Sequence, residues 1–248
     1  MASHTLLLSF HILMGALSII SGFTSLLTRK GSAIHLRGGK VFLINMTFMC
    51  LSGALLSILG GITISLLVSI FTLYLVSTAW RASVRFKQTT GWLDVAGFTV
   101  TTALSVSFFY HGHLAQISPT GTIDDIPIGA TPYYVFAFIS LFSAFRDLSF
   151  ILQTKRTRKQ AQPSHIWRIS LALFIATSSF FTGNPQVFPD WFNQSFISSL
   201  PERVVMLVMI YYLFSRFLSK PIKKMGSSFV LHLKGDQQHN EQRNPKPT

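Results

Sequence analysis

The stretch Val41–Trp80, VFLINMTFMCLSGALLSILGGITISLLVSIFTLYLVSTAW, decides the fold of this protein. It lies between Lys40 and Arg81 and contains no Asp, Glu, Lys or Arg. As a single helix it would measure about 60 Å, twice the roughly 30 Å thickness of bilayer hydrocarbon. Gly60 and Gly61 stand at its centre, where glycine permits a tight turn. The stretch therefore predicts two transmembrane helices joined at these glycines.

Similar apolar segments lie on both sides of this stretch. The chain is 49% hydrophobic and only 12% charged, which is typical of a membrane protein and not of a soluble domain. We predict an all-α, seven-helix transmembrane bundle over residues 1–218, followed by a basic, disordered tail over residues 219–248. The predicted spans are Leu6–Leu27, Val41–Gly60, Ile62–Trp80, Asp94–Leu114, Pro132–Leu152, His165–Gly183 and Ser199–Leu218.

The basic residues gather in alternate loops. The intervening loop Ala115–Thr131 has only Asp124 and Asp125 as charged residues. The positive-inside rule then places the N-terminus outside and the C-terminal tail in the cytoplasm, and it requires an odd number of helices. The net charge of +13 is thus explained by topology and membrane lipid, and no nucleic-acid partner is predicted. The basic loop residues are Arg29, Lys30, Arg37, Lys40, Arg81, Arg85, Lys87, Lys155, Arg156, Arg158 and Lys159.

This topology sorts the histidines into two groups. His11 with His111 or His113 lies near the outer face, and His35 with His165 lies near the cytoplasmic face. Two imidazoles from different helices are the axial ligands that a b-type haem requires, so the sequence suggests a di-haem electron-transfer protein. His111 and His113 point about 200° apart on a helix, so only one of them could serve.

Small residues support the haem hypothesis but have a second interpretation. Gly15, Ser18 and Gly22 form a stripe on the face of His11, which would leave room for a flat ring. Such stripes are more often helix-packing faces. Histidines near a headgroup region are also often bonded to a neighbouring carbonyl, and a metal site combining His111, His113 and an acidic loop residue is a further alternative.

Charged residues inside the spans suggest other functions. Arg146 and Asp147 fall within the fifth span, where they would either form an ion pair with another helix or line a proton or substrate path. The second possibility makes a small transporter or proton-coupled permease the main alternative to electron transfer. An accessory subunit without chemistry is a third, since no catalytic motif is recognisable. Asp94 is predicted as the N-cap of the fourth helix, and Arg168 as a partner for a haem propionate.

Several motifs resemble a family of uncharacterised bacterial polytopic membrane proteins. They are FHILMGALSIISGF, IHLRGGKVF and LYLVSTAWRASVRF in the first half, and FSAFRDLSFIL and SHIWRISLALFIATSSFF in the second. His11, His35 and His165 lie within these stretches. The resemblance implies a bacterial inner-membrane protein, and it brings no activity and no functional residue.

Overall fold

The computed structural model describes residues 2–84, 91–124, 128–152, 158–183, 188–212 and 214. It divides into two compact units, Met1–Met206 and Leu207–Thr248, and in the second of these residues 207–212 are helical. The predicted end of the seventh span at Leu218, the tail 219–248 and the loop residues Arg85, Lys87, Lys155 and Arg156 lie outside the described residues. The helices are α1 (Ala2–Leu27), α2 (Ala33–Gly60), α3 (Thr63–Val84), α4 (Trp92–Ile117), α5 (Ala130–Ile151), α6 (Arg158–Phe181), α7 (Asp190–Asn193) and α8 (residues 200–212).

Five of these helices, α1 to α5, are long and apolar enough to cross a membrane. Large apolar side chains cover their outer surfaces, among them Leu6 at 73% and Ile58 at 63% exposure. A soluble protein would not expose so much apolar surface to water. The chain is therefore an all-α integral membrane protein with several spans. The described residues of α6 and α8 are not both long and apolar enough to count as membrane spans. The sixth and seventh spans therefore stay predictions.

The glycine turn predicted between the second and third helices is confirmed. Helix α2 ends at Gly60, and Gly61 adopts a left-handed backbone conformation with φ of +64°. The N–H groups of Gly61 and Ile62 both donate to the carbonyl of Ser57, which satisfies the end of the helix. A residue with a Cβ would be strained at Gly61, so the turn depends on glycine there.

Most helices extend beyond their predicted apolar segments. Helix α2 begins at Ala33, although the apolar segment begins at Val41. The hydroxyl of Ser32 accepts a hydrogen bond from the N–H of His35 at 3.2 Å and caps the helix there. Hydropathy detects only the part of a helix that lies in hydrocarbon, whereas capping determines where the helix begins.

The assignment of Asp94 as an N-cap is wrong. Helix α4 begins at Trp92 with Gly91 as its N-cap, and Asp94 is the third residue of the helix. Its carboxylate accepts a hydrogen bond from the N–H of Gly91 at 3.0 Å. The same carboxylate forms an ion pair with the guanidinium of Arg81 at 2.7 Å. Asp94 therefore stabilises the start of α4 from within its first turn and ties it to the end of α3.

Helix α3 is the centre of the first unit. It packs against α2, α4, α5 and α6, while α1 packs against α2 and α6, and α4 against α5. Its side chains Phe71 and Leu75 are fully buried. Phe71 contacts Phe136 of α5 edge to face, and Phe136 stacks on Phe108 of α4. Any polar group that α3 directs inward is thus enclosed by helices on several sides.

Candidate functional site

A buried ion pair joins α5 and α6. The guanidinium Nη2 of Arg168 donates to Oδ1 of Asp147, and the hydroxyl of Tyr74, on α3, donates to Oδ2 of the same carboxylate at 2.5 Å. Asp147 is 5% exposed and Arg168 only 2%. The Arg168 guanidinium also lies over the Tyr74 ring at 5.6 Å. One aspartate thus receives donors from two other helices. We call these three residues the Asp147 network.

Helix α4 approaches the Asp147 network closely at a glycine. A Cβ at Gly97 would lie 3.5 Å from Oδ2 of Asp147 and 3.4 Å from the Tyr74 ring. A Cβ there would already be in van der Waals contact with the carboxylate and with the ring that binds it. The small residue therefore lets α4 form the fourth wall of the site.

Helix α6 carries buried donors without hydrogen-bond partners, and one of them belongs to the Asp147 network. Among the described residues, Nε of Arg168, Nε1 of Trp167 and the hydroxyl of Ser164 are buried without a hydrogen-bond partner. All three lie on one stretch of α6. Buried donors of this kind are costly unless water or a ligand binds them. Within the Asp147 network, Nε of Arg168 is therefore a buried donor from which water or a ligand could accept a hydrogen bond.

An open groove lies against the Asp147 network. It has a volume of about 820 Å³ and runs between α2 and α4, with α3 as its floor. Tyr74 and Gly97 belong both to the groove wall and to the surroundings of Asp147. Lys40 and Arg81 lie at one end of the groove. Lys30, which follows α1, and Arg37, near the start of α2, lie at the same end. We call it the basic end of the helices and of the groove. The network thus reaches the groove through Tyr74, which lines the groove and donates to Asp147.

Arg146 lies apart from its neighbour Asp147. Its side chain is half-buried, and its guanidinium lies over the Phe150 ring at 5.5 Å. Adjacent helical residues point about 100° apart, so the two charges face different surroundings. The structure therefore assigns the predicted interhelical ion pair to Asp147 and Arg168.

The outer histidines are not brought together. The ring of His11 packs against α2, where Nδ1 lies 3.0 Å from the carbonyl of Met49 and 3.1 Å from the hydroxyl of Ser52. A Cβ at Gly53 would lie 2.9 Å from Cε1 of His11, so this glycine provides the space for the ring. Helix α1 packs against α2 and α6, whereas α4, which carries His111, packs against α3 and α5.

His111 and His113 face different surroundings, as their spacing predicts. His111 bonds to the carbonyl of Ser107 in its own helix at 2.8 Å, and His113 is exposed. The nearby Asp124 accepts hydrogen bonds from the N–H and hydroxyl of Thr63 and so caps α3. Within the described part of the chain, no group of three or more His, Cys, Asp or Glu residues is placed to hold a metal ion.

The inner histidines bond to different backbone carbonyls. An electrostatic interaction also links His165 with His35 and Lys30. Nδ1 of His35 is 3.0 Å from the carbonyl of Ser25, and Nδ1 of His165 is 2.9 Å from the carbonyl of Ala79. A carbonyl only accepts, so Nδ1 carries the proton in both rings and Nε2 is the nitrogen left for another ligand.

The stripe of small residues on α1 is a packing face. A Cβ at Gly22 would lie 2.7 Å from Cδ1 of Leu173 and 3.0 Å from the Phe42 ring. Ser18 is fully buried and bonds to the carbonyl of Met14. Helices α2 and α6 thus occupy the space that a flat cofactor at Gly22 would need, and the structure agrees with the packing interpretation.

Sequence reasoning missed Tyr74 and gave Arg168 a different role. Tyr74 stands in an uncharged apolar stretch, and nothing in that stretch sets it apart from the other aromatic residues. Arg168 did carry a signal, because an arginine and an aspartate in two successive predicted spans are candidates for pairing. No protein-family model, curated protein or solved structure matches this chain. The family resemblance therefore stays a prediction.

Proposed function

We propose that this chain is a proton-coupled permease in which Asp147 binds and releases the coupled proton. The observation that carries the proposal is the buried Asp147 network beside an open groove. Ionisable groups within membrane spans are rare, and they commonly mark ion or substrate pathways. The unpartnered donors on α6 would be satisfied by water, which could carry protons to the carboxylate.

The chemistry requires only one proton transfer. When Asp147 is ionised, its charge balances that of Arg168, and Tyr74 donates to it. A proton bound at the carboxylate would leave Arg168 without its counter-ion and so weaken the contact between α5 and α6. Loss of the proton would restore that contact. Protonation would thereby alternate the packing of two helices that border the groove floor.

The proposed setting is the bacterial plasma membrane, with the N-terminus outside and the C-terminal tail in the cytoplasm. The alternation of basic and acidic loops supports this orientation. It would place the basic end of the helices, and with it Lys40 and Arg81, at the cytoplasmic face. The family resemblance supports the choice of membrane.

We expect the charge-neutral double variant Asp147→Asn/Arg168→Gln to lose proton flux while it stays folded. Removal of both charges together leaves no uncompensated charge in the bundle. Purified protein would be reconstituted into liposomes containing a pH-sensitive dye, and a potassium gradient with valinomycin would drive protons inward. Wild-type protein should raise proton entry above that of protein-free liposomes. The double variant should lower this protein-dependent flux at least about tenfold.

The matched control is Arg146→Gln, which removes the adjacent arginine but leaves the Asp147 network intact. It should conduct protons like the wild type. Proton flux that is equal in the wild type and the well-folded double variant would show that the network only ties helices together. A wild-type flux no higher than that of protein-free liposomes would contradict the expected movement of protons through the Asp147 network in the absence of substrate.

A second candidate function is electron transfer through one b-type haem held by His35 and His165. The observation in its favour is that each ring has Nδ1 bonded to a backbone carbonyl and that the two histidines interact electrostatically. Such second bonds commonly orient histidines that bind iron through Nε2. If bound, the haem would supply a one-electron redox centre. The outer histidines give no comparable support for a second haem.

We expect His35→Ala and His165→Ala each to abolish a reducible Soret band if this haem is bound. The protein would be expressed with ample haem, purified, and its oxidised and dithionite-reduced absorption spectra compared. His113→Ala is the control, because that exposed residue should leave the spectrum unchanged. A wild-type protein without a reducible Soret band would exclude the haem hypothesis.

A further inference from the structure

The groove between α2 and α4 has mainly apolar walls, which suit a hydrocarbon chain. Its lining is mainly apolar, with Leu43 and Ile44 from α2 and Leu93 and Val100 from α4. Its side opens between two membrane-spanning helices, so the medium that faces it is the bilayer. A volume of about 820 Å³ lies within the range of ligand sites. In lipid, such a space is filled by an acyl chain or by another protein.

The hydroxyl groups in the groove do not make it polar. Thr47, Ser77 and Thr78 each donate a hydrogen bond to the carbonyl four residues earlier in their own helix, at 2.8, 2.8 and 2.7 Å. Their hydrogen-bonding capacity is therefore used within the helices, and a ligand in the groove is offered few polar contacts along its length. This favours a long apolar ligand over a polar solute.

The basic end of the groove carries one uncompensated positive charge. Arg81 is paired with Asp94 at 2.7 Å, so the two charges balance. Lys40 is exposed, and in the described part of the chain no carboxylate pairs with it. The ligand that complements this arrangement has an apolar body with an anionic group at one end.

The length of the groove agrees with one bilayer leaflet. The groove floor follows α3 from Ile70 to Arg81, a distance of eleven helical rises or about 16 Å. Half of the hydrocarbon thickness is about 15 Å. An acyl chain that lies along α3 would therefore reach from Lys40 to the middle of the membrane.

We propose that this groove binds a phospholipid with an anionic headgroup, taken from the leaflet at the basic end of the helices. One acyl chain lies along α3 between α2 and α4, and the headgroup phosphate contacts Lys40. Trp80, which is 51% exposed at the same end, contacts the glycerol region of the lipid, as aromatic residues do at membrane interfaces. Lipid binding in this groove does not depend on whether the Asp147 network moves protons.

Native mass spectrometry tests the headgroup part of this proposal. The full-length protein in neutral detergent would be incubated with phosphatidylglycerol or with phosphatidylcholine of the same chain length, and retained lipid counted. The wild type should retain phosphatidylglycerol about fivefold more strongly, the ratio expected from one lysine near an anionic lipid. Lys40→Gln should abolish this preference, whereas Arg29→Gln, an exposed cation outside the groove, should keep it.

A second pair of variants tests the location. Ala96→Trp fills the groove and should lower retention of both lipids at least about fivefold, whereas Val95→Trp, exposed on the same helix but outside the groove, should not. Equal retention of the two lipids by the wild type, equal effects of Lys40→Gln and Arg29→Gln, or retention of detergent alone would overturn the proposal. Unchanged binding in a folded Ala96→Trp variant would do the same.

Discussion

Replacing Arg168 with glutamine is expected to lower the free energy of unfolding by about 3–5 kcal/mol. The substitution leaves the carboxylate of Asp147 buried at 5% exposure without its cation. The hydroxyl of Tyr74 alone cannot replace a full charge. Unfolding in mixed micelles of increasing denaturing-detergent content, followed by helical circular dichroism, measures the loss. We expect it to exceed the effect of any exposed charge in this protein.

Two variants determine what this loss means. Arg146→Gln removes a half-buried arginine at the preceding helical position from Asp147, and it should cost less than about 1 kcal/mol. Asp147→Asn/Arg168→Gln should recover most of the lost stability, because it removes both charges. If the double variant is as unstable as Arg168→Gln, the cost comes from packing around the guanidinium and not from an unpaired charge.

Replacing Gly22 with leucine should lower the free energy of unfolding by about 1–3 kcal/mol. Even the Cβ of the new side chain would lie 2.7 Å from Cδ1 of Leu173 and 3.0 Å from the Phe42 ring. These two side chains must therefore move, or α1 must separate from α6 or α2. The same detergent titration measures the loss. Helices in lipid associate largely through close packing and without a hydrophobic driving force. Packing that is lost at Gly22 is therefore not offset by burial of the larger leucine side chain.

Gly15→Leu is the matched control for this variant. It lies two turns earlier on the same face of α1, but its Cβ would meet only the Met49 side chain, at 3.6 Å from Sδ. Methionine is flexible and can move away, so the loss should be clearly smaller. Equal losses at the two glycines would show that the close contact with Leu173 and Phe42 does not limit the packing of α1.

The site was partly predictable. Asp147 lies in a predicted span, where a charged side chain costs several kcal/mol unless it is paired. This cost identifies Asp147 as a candidate site residue and predicts a partner on another helix. The identity of that partner was not predictable, because Arg146 is adjacent in sequence and Arg168 is distant. The histidines show the same limit: hydropathy and loop charge place His11 and His111 in one outer group, yet α1 and α4 pack against different helices.

The sequence by itself determined the fold class, the apolar helices and the glycine turn at Gly60 and Gly61. These follow from local quantities: the length of an apolar run against the thickness of the bilayer, and the backbone freedom of glycine. Only the tertiary structure decided that α3 lies at the centre, that Tyr74 and Arg168 converge on Asp147, and that a groove separates α2 from α4. Lipid is as apolar as the surfaces of the spanning helices, so hydrophobicity does not determine which helices become neighbours. Close packing at small residues and the pairing of buried charges choose them, and both depend on residues far apart in the chain.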